Sequence, residues 1–132
     1  MRVPKPKKPS RKSLVAACDR ELSLSVREEN PYCVTCGSRE NLTCGHLFSR
    51  VAYSTRWDYL NCATQCQGCN LRHEYDPSTF TLWYIKRYGL GQYEALAALH
   101  HKSVVFKNNE LSQILNTIRA RRQAWAERRK SA

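Results

Sequence analysis

Two Cys-x-x-Cys pairs, Cys33-Val34-Thr35-Cys36 and Cys66-Gln67-Gly68-Cys69, stand 29 residues apart in a chain of 132. Each pair can form a knuckle that supplies two sulfurs to a tetrahedral ion, and the spacing is that of a four-thiolate zinc site. Whatever else the chain does, it has to bring these two loops to one point. A chain of this length suits one domain with a modest core, to which a structural metal contributes much of the stability. Cys33, Cys36, Cys66 and Cys69 are therefore the expected Zn2+ ligands.

Seven cysteines raise the alternative of a secreted disulfide framework. The number is odd, no signal-like apolar segment opens the chain, and four of the seven fall into metal spacing, so a reducing cytoplasm is the expected compartment. No apolar run approaches the roughly 18 residues that cross a bilayer, so the chain is expected outside the membrane. The net charge is +11, and its distribution says more than its size. Residues 1–12 carry six basic and no acidic residues; residues 119–130 carry six basic residues against Glu127; the middle of the chain balances at zero. That layout predicts two basic arms on a neutral body, with a polyanion as the natural partner because each neutralised phosphate releases counterions. Lys5, Lys7, Lys8, Arg119, Arg121 and Arg122 are the candidate phosphate contacts, against a merely solubilising surface as the alternative.

Pro4, Pro6 and Pro9 among lysines predict an extended, flexible basic arm over residues 1–12. Leu14, Cys18, Leu22 and Val26 recur every four residues, predicting a helix over 13–30 with Ser10 or Ser13 as N-cap and an end before Asn30-Pro31. Leu42 to Phe48 reads as a strand with Leu42, Cys44, His46 and Phe48 on one face, Ser49 to Tyr59 as an irregular segment, and Asn61 to Gln65 as a second strand. Asn70 begins, or immediately precedes, a short helix through Glu74. Residues 31–76 would form the zinc-knuckle core. Residues 77–132 read as helical with a basic tail. A helix from Asp76-Pro77 to Tyr88 turns Phe80, Trp83, Tyr84 and Arg87 inward, and one from Gln92 to His101 does so with Tyr93, Leu96 and Leu99 or His100. A last helix over Asn109–Arg129 carries Leu111, Ile114, Leu115, Ile118 and Trp125 on one stripe. The fold class is α+β: a small zinc-stabilised centre flanked by helices.

The residues strung between the knuckles suit phosphodiester hydrolysis, which needs a base to activate water and a cation to hold the phosphate and leaving oxygen. His46 can take a proton from water if a hydrogen bond at its other ring nitrogen fixes the tautomer. Asn61 can hold the histidine-bearing strand or loop through its side-chain amide. Asn70 can offer its carbonyl oxygen to Mg2+ or Mn2+, with His73 or Glu74 one helical turn on. Arg50 and Arg56, in the loop between, are candidate phosphate clamps. Each has a plainer reading. His46 would be an ordinary strand histidine, Asn70 a helix cap, His73 and Glu74 exposed helix residues, and Arg50 and Arg56 solvated loop residues. Cys44 reads as a packed thiol, Cys62 as a packed thiol or a spare metal contact. His100-His101 has no partner at metal spacing. Trp83, Tyr84 and Trp125 lie at helical spacing and read as packing residues.

Cys-x-x-Cys, a histidine, an asparagine fifteen residues on, and Cys-x-x-Cys-Asn resemble an HNH, or ββα-metal, nuclease with a treble-clef-like zinc-knuckle base. The fuller pattern of Cys33, Cys36-Gly37, Gly45-His46, Arg50, Arg56, Asn61, Gln65-Cys66, Cys69-Asn70, Tyr84, Gly89 and Leu96 is similar to the NinG/Rap recombination endonucleases of lambdoid phages, over roughly residues 17–125. Its plan is also similar to that of phage endonuclease VII. The resemblance implies a DNA endonuclease acting on branched recombination intermediates such as Holliday junctions and D-loops. It implies His46 as general base, Asn61 as its positioning residue, Asn70 as ligand of a catalytic Mg2+ or Mn2+, and a bacterial host's cytoplasm if phage-encoded. Most HNH nucleases place Asp or His before the histidine as a metal ligand; here that residue is Gly45, as in NinG/Rap proteins, which leaves Glu74, His73 or Asp58, or water and substrate phosphate, to complete the shell. The family's Gly-Asn after the knuckle is replaced by Tyr75-Asp76. Paired incision of a junction predicts a homodimer, with the stripes of the first and last helices as its seam and recombination proteins as further partners. A non-catalytic zinc-knuckle nucleic-acid-binding protein and a general HNH nickase are the rival readings.

Overall fold

The computed structural model describes residues 2–131. The polypeptide runs without regular structure to Ser10, whose hydroxyl accepts from the Ser13 N–H and so caps α1 (Arg11–Glu29). The cap satisfies a backbone donor that the first helical turn leaves open. Of the two candidate serines, Ser10 takes the role, and the helix reaches two residues into the stretch expected to be an arm.

After the first knuckle come β1 (Leu42–His46) and a loop that contains one short helix, α2 (Tyr53–Arg56), and a single 3-10 turn at Tyr59–Asn61. The segment is thus more regular than its composition suggests. Asp58 organises its last turn by accepting from the Leu60 N–H. β2 (Cys62–Cys66) then pairs antiparallel with β1, Leu42 opposite Cys66 and His46 opposite Cys62. β1 stops two residues short of the expected Phe48, which has left the ladder: its N–H donates to the Asn61 side chain. β2 keeps the expected length, shifted by one residue. α3 (Gln67–Tyr75) starts at the second knuckle itself, with Cys66 as N-cap, so Asn70 lies within the helix and does not open it.

Asp76 accepts from both the N–H and the hydroxyl of Ser78 at the start of α4 (Ser78–Tyr88). Gly89, at φ 91°, makes the left-handed turn into α5 (Leu90–His100). α6 (Asn108–Ser131) closes the chain.

Two apolar cores sandwich the hairpin. Leu14, Cys18, Leu22 and Val26 of α1 interlock with Leu111, Leu115 and Ile118 of α6, and Trp57 closes that cluster. On the other face Leu47 and Ala63 meet Phe80 and Tyr84 of α4 and Leu96 of α5. The stripes of α1 and α6, expected to form a dimer seam, are thus buried against each other within one chain, since each offers the apolar surface the other needs. Arg87 is exposed, not turned inward.

Candidate active site and metal centre

The two knuckles meet as the spacing requires. The Sγ atoms of Cys33, Cys36, Cys66 and Cys69 all lie within 4.8 Å of one another, with Cys36 and Cys66 at 3.7 Å. Gly37, at φ 81°, makes the first turn, and its N–H donates to the Cys33 carbonyl. In the second, the Cys69 N–H donates to the Cys66 sulfur. The donors suit zinc: four soft sulfurs from two knuckles. Their acidities diverge with their surroundings. Burial works against Cys33, but hydrogen bonds from the Thr35 hydroxyl and from backbone N–H groups overcome it and hold that thiol down at about 6. The Thr35 hydroxyl also favours the Cys69 thiolate, yet burial and the three neighbouring thiols push it up to about 12. Four thiolates cannot share this space without a counter-charge, which a dication supplies.

A cleft of about 570 Å3 opens on the other side of the hairpin, with Asp19, His46, Arg50, Asn70, His73 and Glu74 in its lining. α3 carries Asn70 and Glu74 one turn apart, and β1 ends at His46. His46 Nε2 lies 2.9 Å from the Arg56 carbonyl oxygen. A carbonyl can only accept, so Nε2 carries the proton and Nδ1 keeps its lone pair. Burial lowers the pKa of His46 despite that carbonyl, which keeps the ring neutral. His73 is differently placed. Its Nε2–H donates to the Leu47 carbonyl at 2.8 Å and its ring meets Phe80 edge-on, so it ties α3 to the end of β1.

Asn61 is fully buried below the loop. Its Oδ1 accepts from the Phe48 N–H at 2.8 Å, and its Nδ2 donates to the carbonyls of Phe48 and Thr55 at 2.9 and 3.1 Å. One amide thus satisfies three backbone groups and fixes the segment that presents His46. Gly45 faces the opposite core. A Cβ there would stand 2.3 Å from Gln65 Oε1, so the Gln65 side chain fills the space where a larger residue 45 would lie.

The arginines divide by partner. Arg50 is exposed at the cleft mouth. Arg56 is not free for phosphate: Nε and Nη2 grip Asp19 at 3.0 and 2.6 Å, and Trp57 Nε1–H donates to the same carboxylate at 2.9 Å. Arg121 pairs with Glu29, Arg122 with Glu21 and Glu28, and Arg119 lies 3.8 Å from Glu21. Half of the basic residues of the expected C-terminal arm therefore clamp α6 to α1. Lys5, Lys7 and Lys8 remain exposed ahead of α1. Asp58 caps its own 3-10 turn and is not among the cleft residues. Asp19 is hard to find from sequence because its partner lies 37 residues on, and its only signal is an acid beside the buried Cys18 in an otherwise apolar stripe.

No described helix is long and apolar enough to cross a membrane. A family model described as Bacteriophage Lambda NinG protein matches residues 5–128. No curated protein and no solved structure matches the chain.

Proposed function

The chain belongs to the bacteriophage lambda NinG family, and from that premise we propose that it is a metal-dependent DNA endonuclease of ββα-metal, or HNH, type that nicks branched recombination intermediates. The observation that carries the reading is His46: one ring nitrogen is tied to the Arg56 carbonyl, and the ring lines a cleft with Asn70, Glu74 and Arg50.

His46 Nδ1 takes a proton from the attacking water, and the Nε2–H bond to Arg56 holds the ring in place as it becomes charged. Asn61 keeps the loop, and hence His46, in register. Asn70 and Glu74 are the residues that would hold Mg2+ or Mn2+, whose charge, when bound, offsets the charge building on the phosphate and leaving oxygen. Arg50 meets a phosphate at the cleft mouth. Cys33, Cys36, Cys66 and Cys69 would hold Zn2+ as scaffold only. The exposed lysines of residues 5–8 track the backbone and read no base edges, so selectivity comes from branch shape. Two incisions on one junction call for a homodimer on DNA, assembled through a surface other than the α1 and α6 stripes.

Four-way junction, D-loop and linear duplex DNA incubated with the protein in Mg2+ or Mn2+, alongside His46→Ala, test the reading. Branch-selective nicking by the wild type, reduced at least a hundredfold in His46→Ala, supports it. Tight binding without cleavage favours a non-catalytic binding protein, and equal cutting of all three a general nickase.

A further inference from the structure

We propose that Cys44, His46 and Cys62 form a second metal site, one that takes a thiophilic dication such as Zn2+ and thereby withdraws His46 from the reaction. Its inhibitory consequence rests on the proposed function; its metal binding does not.

β1 places Cys44 and His46 two residues apart on one face, and the register places Cys62 directly across from His46. One ligand atom from each lies within 4.8 Å of the other two. The set shares no residue with the four-thiolate cluster. Zinc bonds to sulfur at about 2.3 Å and to imidazole nitrogen at about 2.0 Å, so small side-chain rotations complete the site.

Two further features fit a metal. The Nε2–H of His46 already donates to the Arg56 carbonyl. That is the outer bond by which proteins orient a metal-bound imidazole, and it leaves Nδ1 as the ligand. Cys44 and His46 also line the cleft while Cys62 lies deeper, so a fourth position faces open space, as in sites with three protein ligands and an exchangeable one. Asp19, though near, is engaged through both oxygens by Arg56 and Trp57 and is not that fourth ligand. Sulfur and imidazole donors select zinc over Mg2+, whereas the oxygens of Asn70 and Glu74 select the reverse. His46 Nδ1 therefore faces two alternatives. With free zinc scarce it is a base, and with zinc in the site its lone pair is taken.

The full chain carrying one zinc equivalent is titrated with Co2+ and Zn2+. The wild type should take a second equivalent, with thiolate-to-cobalt charge-transfer absorption and protection of Cys44 from alkylation. Cys44→Ser and Cys62→Ser, on different strands, should each lose that equivalent, and His46→Ala should bind it at least tenfold more weakly, with circular dichroism confirming that each variant folds. In Mg2+, zinc sufficient to fill the site should slow wild-type DNA cleavage at least tenfold. Cys44→Ser, compared with its own zinc-free rate, should resist. A single equivalent in the wild type, or a second one that survives both serine substitutions, overturns the site. Equal zinc inhibition of the wild type and Cys44→Ser overturns the regulatory role. If the wild type cuts no DNA, the endonuclease reading fails while the metal count still decides the site.

Discussion

The Nε2 of His46 lies 2.9 Å from the main-chain oxygen of Arg56, and the guanidinium of that same arginine is gripped by both oxygens of Asp19 on α1. A residue in the first helix therefore orients a ring at the end of the first strand, without touching it.

Asp19→Asn should for that reason lower cleavage through kcat, about tenfold, with KM little changed. A second readout separates positioning from general destabilisation. The Asp19 charge raises the affinity of His46 for its proton. Its removal should move the acid limb of the pH–rate profile to lower pH, and a profile that keeps its position while activity falls would contradict the proposed chain of contacts.

The same carboxylate sets an acid limit on stability. Burial works to raise the pKa of Asp19, but hydrogen bonds from Arg56 and Trp57 hold it below its ordinary 3.8. A depressed pKa stabilises the fold at pH values above 3.8, and that contribution is lost as pH falls through the lower, folded value. Urea unfolding should find Asp19→Asn roughly 2 kcal/mol less stable at pH 7, with the gap to the wild type closing below that range. A gap that keeps its full size as pH falls below 3.8 would refute the charge-based account.

Gly45 is required by space, not by backbone conformation. Gly45→Ala places a Cβ against the fully buried Gln65 and should cost about 1–3 kcal/mol. Gln65→Ala opens the pocket, so the double variant should lose less than the sum of the two single losses. Additive losses in thermal or urea unfolding would show that the two side chains do not compete. Gly45→Asp, which would introduce a ligand-bearing side chain at this position, should disrupt folding before it could supply a ligand.

The sequence made the thiol cluster legible because a Cys-x-x-Cys spacing constrains geometry locally, knuckle by knuckle. It also made legible the helices with apolar stripes, since Leu14, Leu22, Leu111 and Leu115 keep a four-residue period. What it hid depends on contacts between distant segments. The pairing of Arg56 with Asp19, the burial of Gln65 behind Gly45, and the helical turn at Tyr53–Arg56 leave no periodic trace. Charge misled for a related reason. A run of arginines on a helix looks the same whether it meets solvent or the glutamates of a neighbouring helix.

Loss of one zinc ligand should unfold the centre. The hairpin has only two strands and its base is held by the knuckles. Zinc binding in small domains contributes on the order of 10 kcal/mol, comparable with a domain's whole stability. Cys33→Ser should purify without the zinc of the four-thiolate cluster and show no cooperative thermal transition. An unchanged melt and unchanged zinc content would remove Cys33 from the ligand set.

The two ends of the chain carry similar charge, yet they should respond to mutation in different ways. Lys5, Lys7 and Lys8 are exposed and lie outside the ion pairs seen among the described residues, whereas Arg121 and Arg122 hold Glu29, Glu21 and Glu28 across the seam between α1 and α6. Replacing the three lysines by alanine should leave unfolding unchanged but weaken DNA binding. The dependence of log affinity on log salt should then flatten by up to about 2.7, at about 0.9 for each phosphate that is no longer neutralised. Arg122→Ala should do the opposite. It leaves Glu28 without its guanidinium partner and Glu21 with Arg119 alone, at 3.8 Å, and should cost roughly 1–2 kcal/mol of stability while changing the salt slope by less than the value of a single phosphate. Salt-dependent binding isotherms and urea titrations on the same two variants separate the cases. If Arg122→Ala flattened the slope and left stability alone, α6 would be a DNA-binding arm after all, and its ion pairs with α1 would be incidental.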